Sequence, residues 1–417
     1  MAFGIVNSRV YSNPYQKLLY RSIGSRYRIA SGSIATSIGQ LNRLGKSIHH
    51  IHWEEALFAK CESASQAGKL RRDYIARLKH YVDLGGKVVW TVHNIKPHEW
   101  RFTGTFLSLR KDLAALSSLI LVHNQHAMSM LQEQIGLTDL SKMRVLAHPT
   151  YFDVYEPAEK TIELAGQPPA HPRTLLYFGL VRAYKGIPEM LRKLPHDFMV
   201  KHDLALRICG NPIRAESFLD DLLAQCEARP EIECRLASVP APEVADLLRS
   251  CAGLVLPYHK VLTSGVAVLS LTLGVPTVAP RTPTMEELFP ESSHHLLFNP
   301  RSSNDLRRAV LALANMSPEM RMRISQDYLE RAQACHPRII SRRLGAIYDK
   351  LLGIKPNKKP AAGGNAKPAA QIAAPPAAAS QATDAHQGER LQPQSQPKPQ
   401  PQPKPKPQSQ PKPQPQP

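Results

Sequence analysis

The sequence lacks most of the patterns that assign a function quickly. No G-x-G-x-x-G follows an expected strand, so a dinucleotide site of the familiar kind is absent. The six cysteines (Cys61, Cys209, Cys226, Cys234, Cys251 and Cys335) show no C-x-x-C spacing, which points to neither a zinc site nor a disulfide framework and predicts reduced thiols. No stretch approaches the roughly 18 uninterrupted apolar residues of a membrane span, and the N-terminus carries no basic-then-apolar signal pattern. A membrane, if met, is therefore expected to be met at its surface. Acidic residues are scarce: 34 Asp and Glu stand against 53 Lys and Arg, a formal net charge of +19. Such a surplus suits phosphorylated substrates, an anionic membrane face or nucleic acid, and charge alone does not choose among them.

What is present divides the chain. With 417 residues it exceeds what one hydrophobic core usually serves, so two globular domains are expected. From about Ile354 onward the sequence turns to Ala-Pro and then Gln-Pro-Lys repeats, without an aromatic residue, and reads as an extended basic tail unable to build a core. Residues 354–417 hold eight Lys and one Arg against Asp384 and Glu389, a surplus of 7 that leaves +12 on the remainder.

Residues 1–154 read as a first open α/β domain. A short strand near Phe3 leads through Asn13-Pro14-Tyr15 into a helix from Gln16. The strand Ser47 to His52 runs straight into Trp53-Glu54-Glu55, where carboxylates beyond the carboxyl end of a parallel strand lie in the usual place for a site. The same two acids also suit the first turn of a helix, and both readings stay open. A basic helix over about Ala67 to Leu84 sets Leu70, Tyr74, Ile75, Leu78 and Val82 as an apolar stripe beside Lys69, Arg71, Arg72, Arg77 and Lys79. It reads either as a solvated face or as a surface for anionic lipid. The strand Lys87 to Val92 then ends in His93, Asn94, His98 and Glu99, groups that accept protons or bond sugar hydroxyls. Strands at Leu119–Val122 and Arg144–Ala147 close the domain, and residues 155–173 read as a linker.

The second domain, residues 174–335, restarts the pattern with the strand Thr174 to Phe178. Gly179 follows, with Arg182 and Lys185 close by, and fits a phosphate cradle: backbone approaches at the glycine and cations neutralise charge. Strands follow at Ala205–Cys209, ending in Gly210-Asn211, and at Ile232–Leu236. Leu254 to Pro280 then reads as strand, loop, helix and strand. The helix begins after Ser264-Gly265, where free amides and the positive dipole end suit an anion. A last helix over about His336 to Leu352, within 336–353, closes the molecule.

These motifs together resemble the GT-B glycosyltransferases, two doubly wound α/β domains facing a cleft. Tyr177 to Gly186, Leu206 to Pro212 and Leu254 to Pro280 carry that resemblance. Asn13-Pro14-Tyr15, His50-Ile-His-Trp-Glu54, Thr91 to Glu99 and Leu256-Pro-Tyr258 are similar to the exopolysaccharide β-1,4-mannosyltransferases of xanthan-type pathways. The similarity spans about residues 10–350. It implies transfer of a sugar from a nucleotide sugar, GDP-mannose in those relatives, to a polyprenyl-diphosphate-linked oligosaccharide at the inner face of the cytoplasmic membrane.

On that basis the donor is expected at Gly179, Arg182, Lys185, Asn211, Tyr258, Ser264 and Gly265, with Glu286 and Glu287 at the ribose or base. The acceptor is expected at Asn13, Tyr15, Trp53, His93 and Asn94. Glu54, then Glu99 or His98, is the expected base, and neither metal nor cofactor is called for. The E-x7-E of many retaining members falls at Val261 and Leu269, and their arginine falls at Leu180, so an inverting displacement fits better, with Arg182 as a displaced substitute. The rivals are a UDP-glucose or UDP-glucuronate donor and, in another class, a basic scaffold or nucleic-acid-binding protein, although no nucleic acid is expected.

Overall fold

The computed structural model describes residues 3–7, 14–24, 26–95, 102–212, 218–258 and 262–355. Asn13, His98, Glu99 and the Pro/Gln/Lys tail lie outside these residues. The described chain forms two six-stranded sheets in which every pairing is parallel. In the first, β1 (Phe3–Asn7), β2 (Tyr27–Ser31), β3 (Ser47–His52), β4 (Lys87–Thr91), β5 (Leu119–Val122) and β6 (Met143–Val145) run in the order β2-β1-β3-β4-β5-β6. In the second, β7 (His171–Phe178), β8 (Ala205–Cys209), β9 (Ile232–Arg235), β10 (Cys251–Val255), β11 (Thr277–Pro280) and β12 (Leu297–Phe298) run as β12-β11-β10-β7-β8-β9. Ligands of open α/β sheets sit beyond the carboxyl ends of strands where the order reverses. Those points lie between β1 and β3 in the first sheet and between β7 and β10 in the second.

Strands buried on both faces favour apolar runs, as in β5, β10 and Val88 to Trp90 of β4, whereas the fully buried β3 carries Ser47 and three histidines. The two faces of the first sheet separate by the strand period of two. Ile51, Val88, Trp90 and Val92 enter one core with Leu78, Tyr81, Phe106 and Leu109. Ile48, Val89 and Leu121 enter the other, which is shared with Ile340, Leu344 and Tyr348 of the last helix, Pro337–Leu351. The chain thus returns at its C-terminal end to complete the core of the first domain. Truncating the fully buried Leu344 to alanine removes a core side chain, a change that typically costs ~2–5 kcal/mol.

Several expectations are corrected. Strands β2 and β12 are present where none was predicted, and the helix Ile34–Leu44 is added between β2 and β3. The stretch 155–173 contains the helix Ala158–Leu164 and the start of β7, anchored by Glu156, whose carboxylate accepts from both terminal nitrogens of Arg249. The thiols are not all reduced: Cys226 is bonded to Cys234, because the turn after the helix Phe218–Ala228 folds its last residues back over the edge strand β9. No helix among the described residues is long and apolar enough to cross a membrane.

Candidate active site

The loops that leave β7 and β10 converge at the reversal point of the second sheet. Gly179 follows β7 with φ +122° and Gly210 follows β8 with φ +154°, both in the region where side chains are strained. They lie back to back: a Cβ on Gly210 would sit 1.7 Å from the Gly179 carbonyl oxygen. A Cβ on Gly179 would lie 3.2 Å from Val266, so this backbone rests beside the first turn of the helix Gly265–Leu273. Ser264 caps that helix, its Oγ accepting from the Ala267 N–H at 3.2 Å and donating to the Tyr258 hydroxyl at 3.4 Å. Lys185 Nζ lies 4.5 Å from the centre of the Tyr258 ring, a cation–π contact. Glycine backbone, lysine and a capped helix start thus gather on one side of the cleft, a combination suited to a diphosphate.

The first sheet answers with imidazoles. His52 ends β3, and His93, His123 and His148 follow β4, β5 and β6. All four surround Tyr15, with ring centres 5.7, 4.8, 5.4 and 4.8 Å away respectively. Behind them runs a chain of hydrogen bonds. His93 Nε2 meets His52 Nδ1 at 3.0 Å, His52 Nε2 meets the Tyr20 hydroxyl at 3.0 Å, and that hydroxyl meets His50 Nδ1 at 2.6 Å. His50 Nε2 ends on the Thr91 hydroxyl at 2.7 Å. Burial disfavours the cationic form, holding His123 down to about 4 and His148 to about 3, and His50, His52 and His93 well below the ordinary imidazole range. At neutral pH the cluster is uncharged. Trp53, held at φ +49°, stacks on His93 at 4.5 Å and 17°, a strained residue placed beside the cluster.

The two acids after Trp53 separate. Glu54 Oε1 accepts from Arg110 Nε at 2.8 Å and Nη2 at 2.6 Å, and Oε2 from the Trp90 indole at 3.1 Å. A buried carboxylate tied on both oxygens anchors the turn that follows β3. Glu55 accepts one bond, at 2.8 Å from Asn94 Nδ2, and its buried Oε2 has no partner. Burial, then the neighbouring Glu54 charge, raise its carboxyl to about 7. Asn94, expected at the acceptor, holds Glu55 instead.

With this geometry in view, the comparisons with known proteins are specific. Residues 172–316 match the family model described as glycosyl transferases group 1. A GDP-mannose:glycolipid 4-beta-D-mannosyltransferase of Xanthomonas campestris pv. campestris is 30% identical over 275 residues, which cover 64% of this chain and 70% of the relative. The chain belongs to the glycosyltransferases. Among solved structures, Anabaena HepE in complex with UDP superposes with a TM-score of 0.61 at 12% identity, covering 84% of this chain and 100% of HepE. A sucrose-phosphate synthase from Thermosynechococcus elongatus gives 0.59 at 14% identity over 84% of this chain and 99% of that one. These two likenesses carry the GT-B fold.

In this glycosyltransferase the structure brings together Gly179, Lys185, Tyr258, Ser264 and Gly265, expected at the donor, and, separately, Tyr15, Trp53 and His93, expected at the acceptor. Arg182 caps the short turn Ala183–Lys185, and the Asn211 carbonyl accepts from the Val181 N–H at 3.0 Å. Glu286 and Glu287, expected at the ribose or base, take different partners. Glu286 is exposed and pairs with Arg281 at 2.9 Å, while Glu287 reaches across to the first domain and accepts from the Gln125 N–H at 3.0 Å. The first turn of the helix Pro283–Leu288 aims them to those places. In the sequence Glu55 stands out only as the neighbour of Glu54 beyond the third strand, and nothing singles out His123 or His148. The partner of Glu54 is Arg110, buried on the helix Thr103–Leu116, and nothing in the sequence links the two.

Proposed function

We propose that this glycosyltransferase moves mannose from GDP-mannose onto a polyprenyl-diphosphate-linked oligosaccharide in exopolysaccharide synthesis, with inversion and on the inner face of the cytoplasmic membrane. The observation that carries this reading is the donor-side cluster of Gly179, Lys185 and the Ser264-capped helix start, in a chain similar to a GDP-mannose:glycolipid mannosyltransferase. The acceptor hydroxyl attacks the anomeric carbon, the bond from that carbon to the phosphate oxygen breaks, and nucleoside diphosphate leaves with the electron pair. Glu55 takes the hydroxyl proton; a carboxyl raised to about 7 is well matched to that task. Lys185, Arg182 and the amides at the helix start stabilise the leaving diphosphate. Leu269, in place of the second acid of the retaining pattern, is buried and apolar and supports single displacement.

The membrane reading rests on the helix Ala64–Asp83, where Lys69, Arg72, Arg77 and Lys79 are exposed around Leu70. The scaffold or nucleic-acid alternative gives way to the family match. Purified protein, offered a panel of nucleotide sugars with a lipid-linked acceptor, tests the rest. GDP-mannose is expected to release nucleotide, and turnover of UDP-sugars alone would sink the choice of donor. A chain ending at residue 355 is expected to retain transfer.

A further inference from the structure

A single tyrosine joins two buried histidines of β3 to the edge of the cleft. The Tyr20 hydroxyl lies 2.6 Å from His50 Nδ1 and 3.0 Å from His52 Nε2, and His52 Nδ1 lies 3.0 Å from His93 Nε2. Burial keeps the three rings neutral, so each carries a proton on one of its two nitrogens. Where two rings meet directly, a proton on one facing nitrogen requires a lone pair on the other. The direction taken by the Tyr20 proton is therefore passed on to His93, two rings away.

The last helix decides that direction. The Tyr348 hydroxyl also lies 2.6 Å from His50 Nδ1 and makes no other hydrogen bond among the described residues, whereas Tyr20 has two imidazole nitrogens within reach. A ring nitrogen offers either a lone pair or an N–H, so His50 Nδ1 cannot take protons from both hydroxyls. If that nitrogen is bare, the Tyr348 proton takes it, because an unpaired O–H at a fully buried position is costly. The Tyr20 proton then goes to His52 Nε2. If the nitrogen carries a proton, it donates to the tyrosine oxygens, and the Tyr20 proton again goes to His52 Nε2.

Both states of His50 thus give one result. His52 accepts at Nε2 and carries its proton on Nδ1. That N–H donates to His93 Nε2, which leaves the His93 proton on Nδ1. This last nitrogen makes no hydrogen bond among the described residues, and His93 is the most exposed of the three rings, at 8% against 0% for His50 and 2% for His52. It is the open end of the chain, stacked on Trp53.

We propose that Tyr20 is a positioning residue for transfer, orienting the His52–His93 pair so that His93 presents an N–H, not a lone pair, to the cleft. His93 then donates to an oxygen of the bound substrate and is barred from taking the acceptor proton, a step left to Glu55. The inference deepens the transfer reading and rests on it for the substrate, while the proton positions belong to the free protein.

The test is long-range proton–nitrogen NMR of the full chain with isotope-labelled histidine, near neutral pH and without ligand. The nitrogen shifts separate a protonated ring nitrogen from a bare one, and His52→Asn and His93→Asn spectra assign the two rings. A proton on Nδ1 is expected in both. Tyr20→Phe, which removes a hydroxyl and keeps the ring, is expected to populate both arrangements of the pair. It is also expected to lower kcat/KM about 2- to 10-fold, the upper figure being one neutral hydrogen bond. A proton on His93 Nε2 in the wild-type protein overturns the inference, whether or not the variant folds. So does an unchanged pattern in folded Tyr20→Phe. A changed pattern with unchanged kcat/KM overturns the role in transfer. The expected pattern in a protein that turns over no nucleotide sugar leaves the proton chain standing and removes the transfer reading.

Discussion

Arg110 and Glu54 form an ion pair at 2.6 Å whose side chains are 1% and 2% exposed, locking the helix Thr103–Leu116 to the turn that follows β3. Removing one member strands a buried charge, so Arg110→Ala is expected to cost ~3–5 kcal/mol. Replacing both by apolar residues of similar volume should cost less than either single change. Chemical denaturation of the three variants checks this, and an unchanged midpoint in Arg110→Ala would remove the anchor role.

Glu55 should behave in the opposite way. Glu55→Gln is expected to abolish transfer while the protein stays folded, and wild-type kcat/KM should fall as pH drops below about 7, where the carboxyl takes up its proton. Stability gives an independent sign. The folded carboxyl titrates above its unfolded value of ~4.3, so its contribution is complete below that value and is lost as pH rises through about 7. Glu55→Gln, which cannot ionise, should therefore melt higher than wild type in alkaline buffer and lose that advantage near pH ~4. A pH-independent difference in Tm would contradict the assignment.

The imidazole cluster predicts acid sensitivity. His49 and His123 titrate at about 4 and His148 at about 3, all below the free value of ~6.5. Depressed folded values mean that the unfolded chain binds more protons, so stability is full above ~6.5 and declines as pH falls through 4 towards 3. For His123 alone the shift corresponds to about 3 kcal/mol. Thermal melts across this range check it, and a flat profile between pH ~6.5 and ~4 would show that the rings are not held neutral.

Lys185→Ala should lower kcat/KM about 10²-fold, the typical loss on removing one group that stabilises developing charge. Its Nζ lies over the Tyr258 ring, so the folded core is untouched and Tm should hold. Steady-state kinetics against the nucleotide sugar decide the point, with Lys185→Arg retaining part of the rate.

Physical reasons separate what was readable in the sequence from what was not. β4 and β10 announce themselves because Val88 to Trp90 and Cys251 to Val255 are unbroken apolar runs. β2, Tyr27–Ser31, does not, because an edge strand with Arg28 exposed breaks that pattern. The cluster of Gly179, Lys185, Ser264 and Gly265 was readable because its members lie in two short segments. His123 and His148 each stand alone in the sequence, and parallel register alone gathers them with His93 around Tyr15. The different surroundings of Glu54 and Glu55 were not readable because Trp53 turns at positive φ, so the alternation of β3 does not carry past His52.

The contact between Gly179 and Gly210 has a consequence for anyone who would redesign donor preference. The two loops share one thickness of backbone, since a single methyl group on the second would overlap the carbonyl of the first. A loop grafted from a relative after β7 alone, or after β8 alone, would meet a partner shaped for something else, and only a paired exchange preserves the close approach of the two.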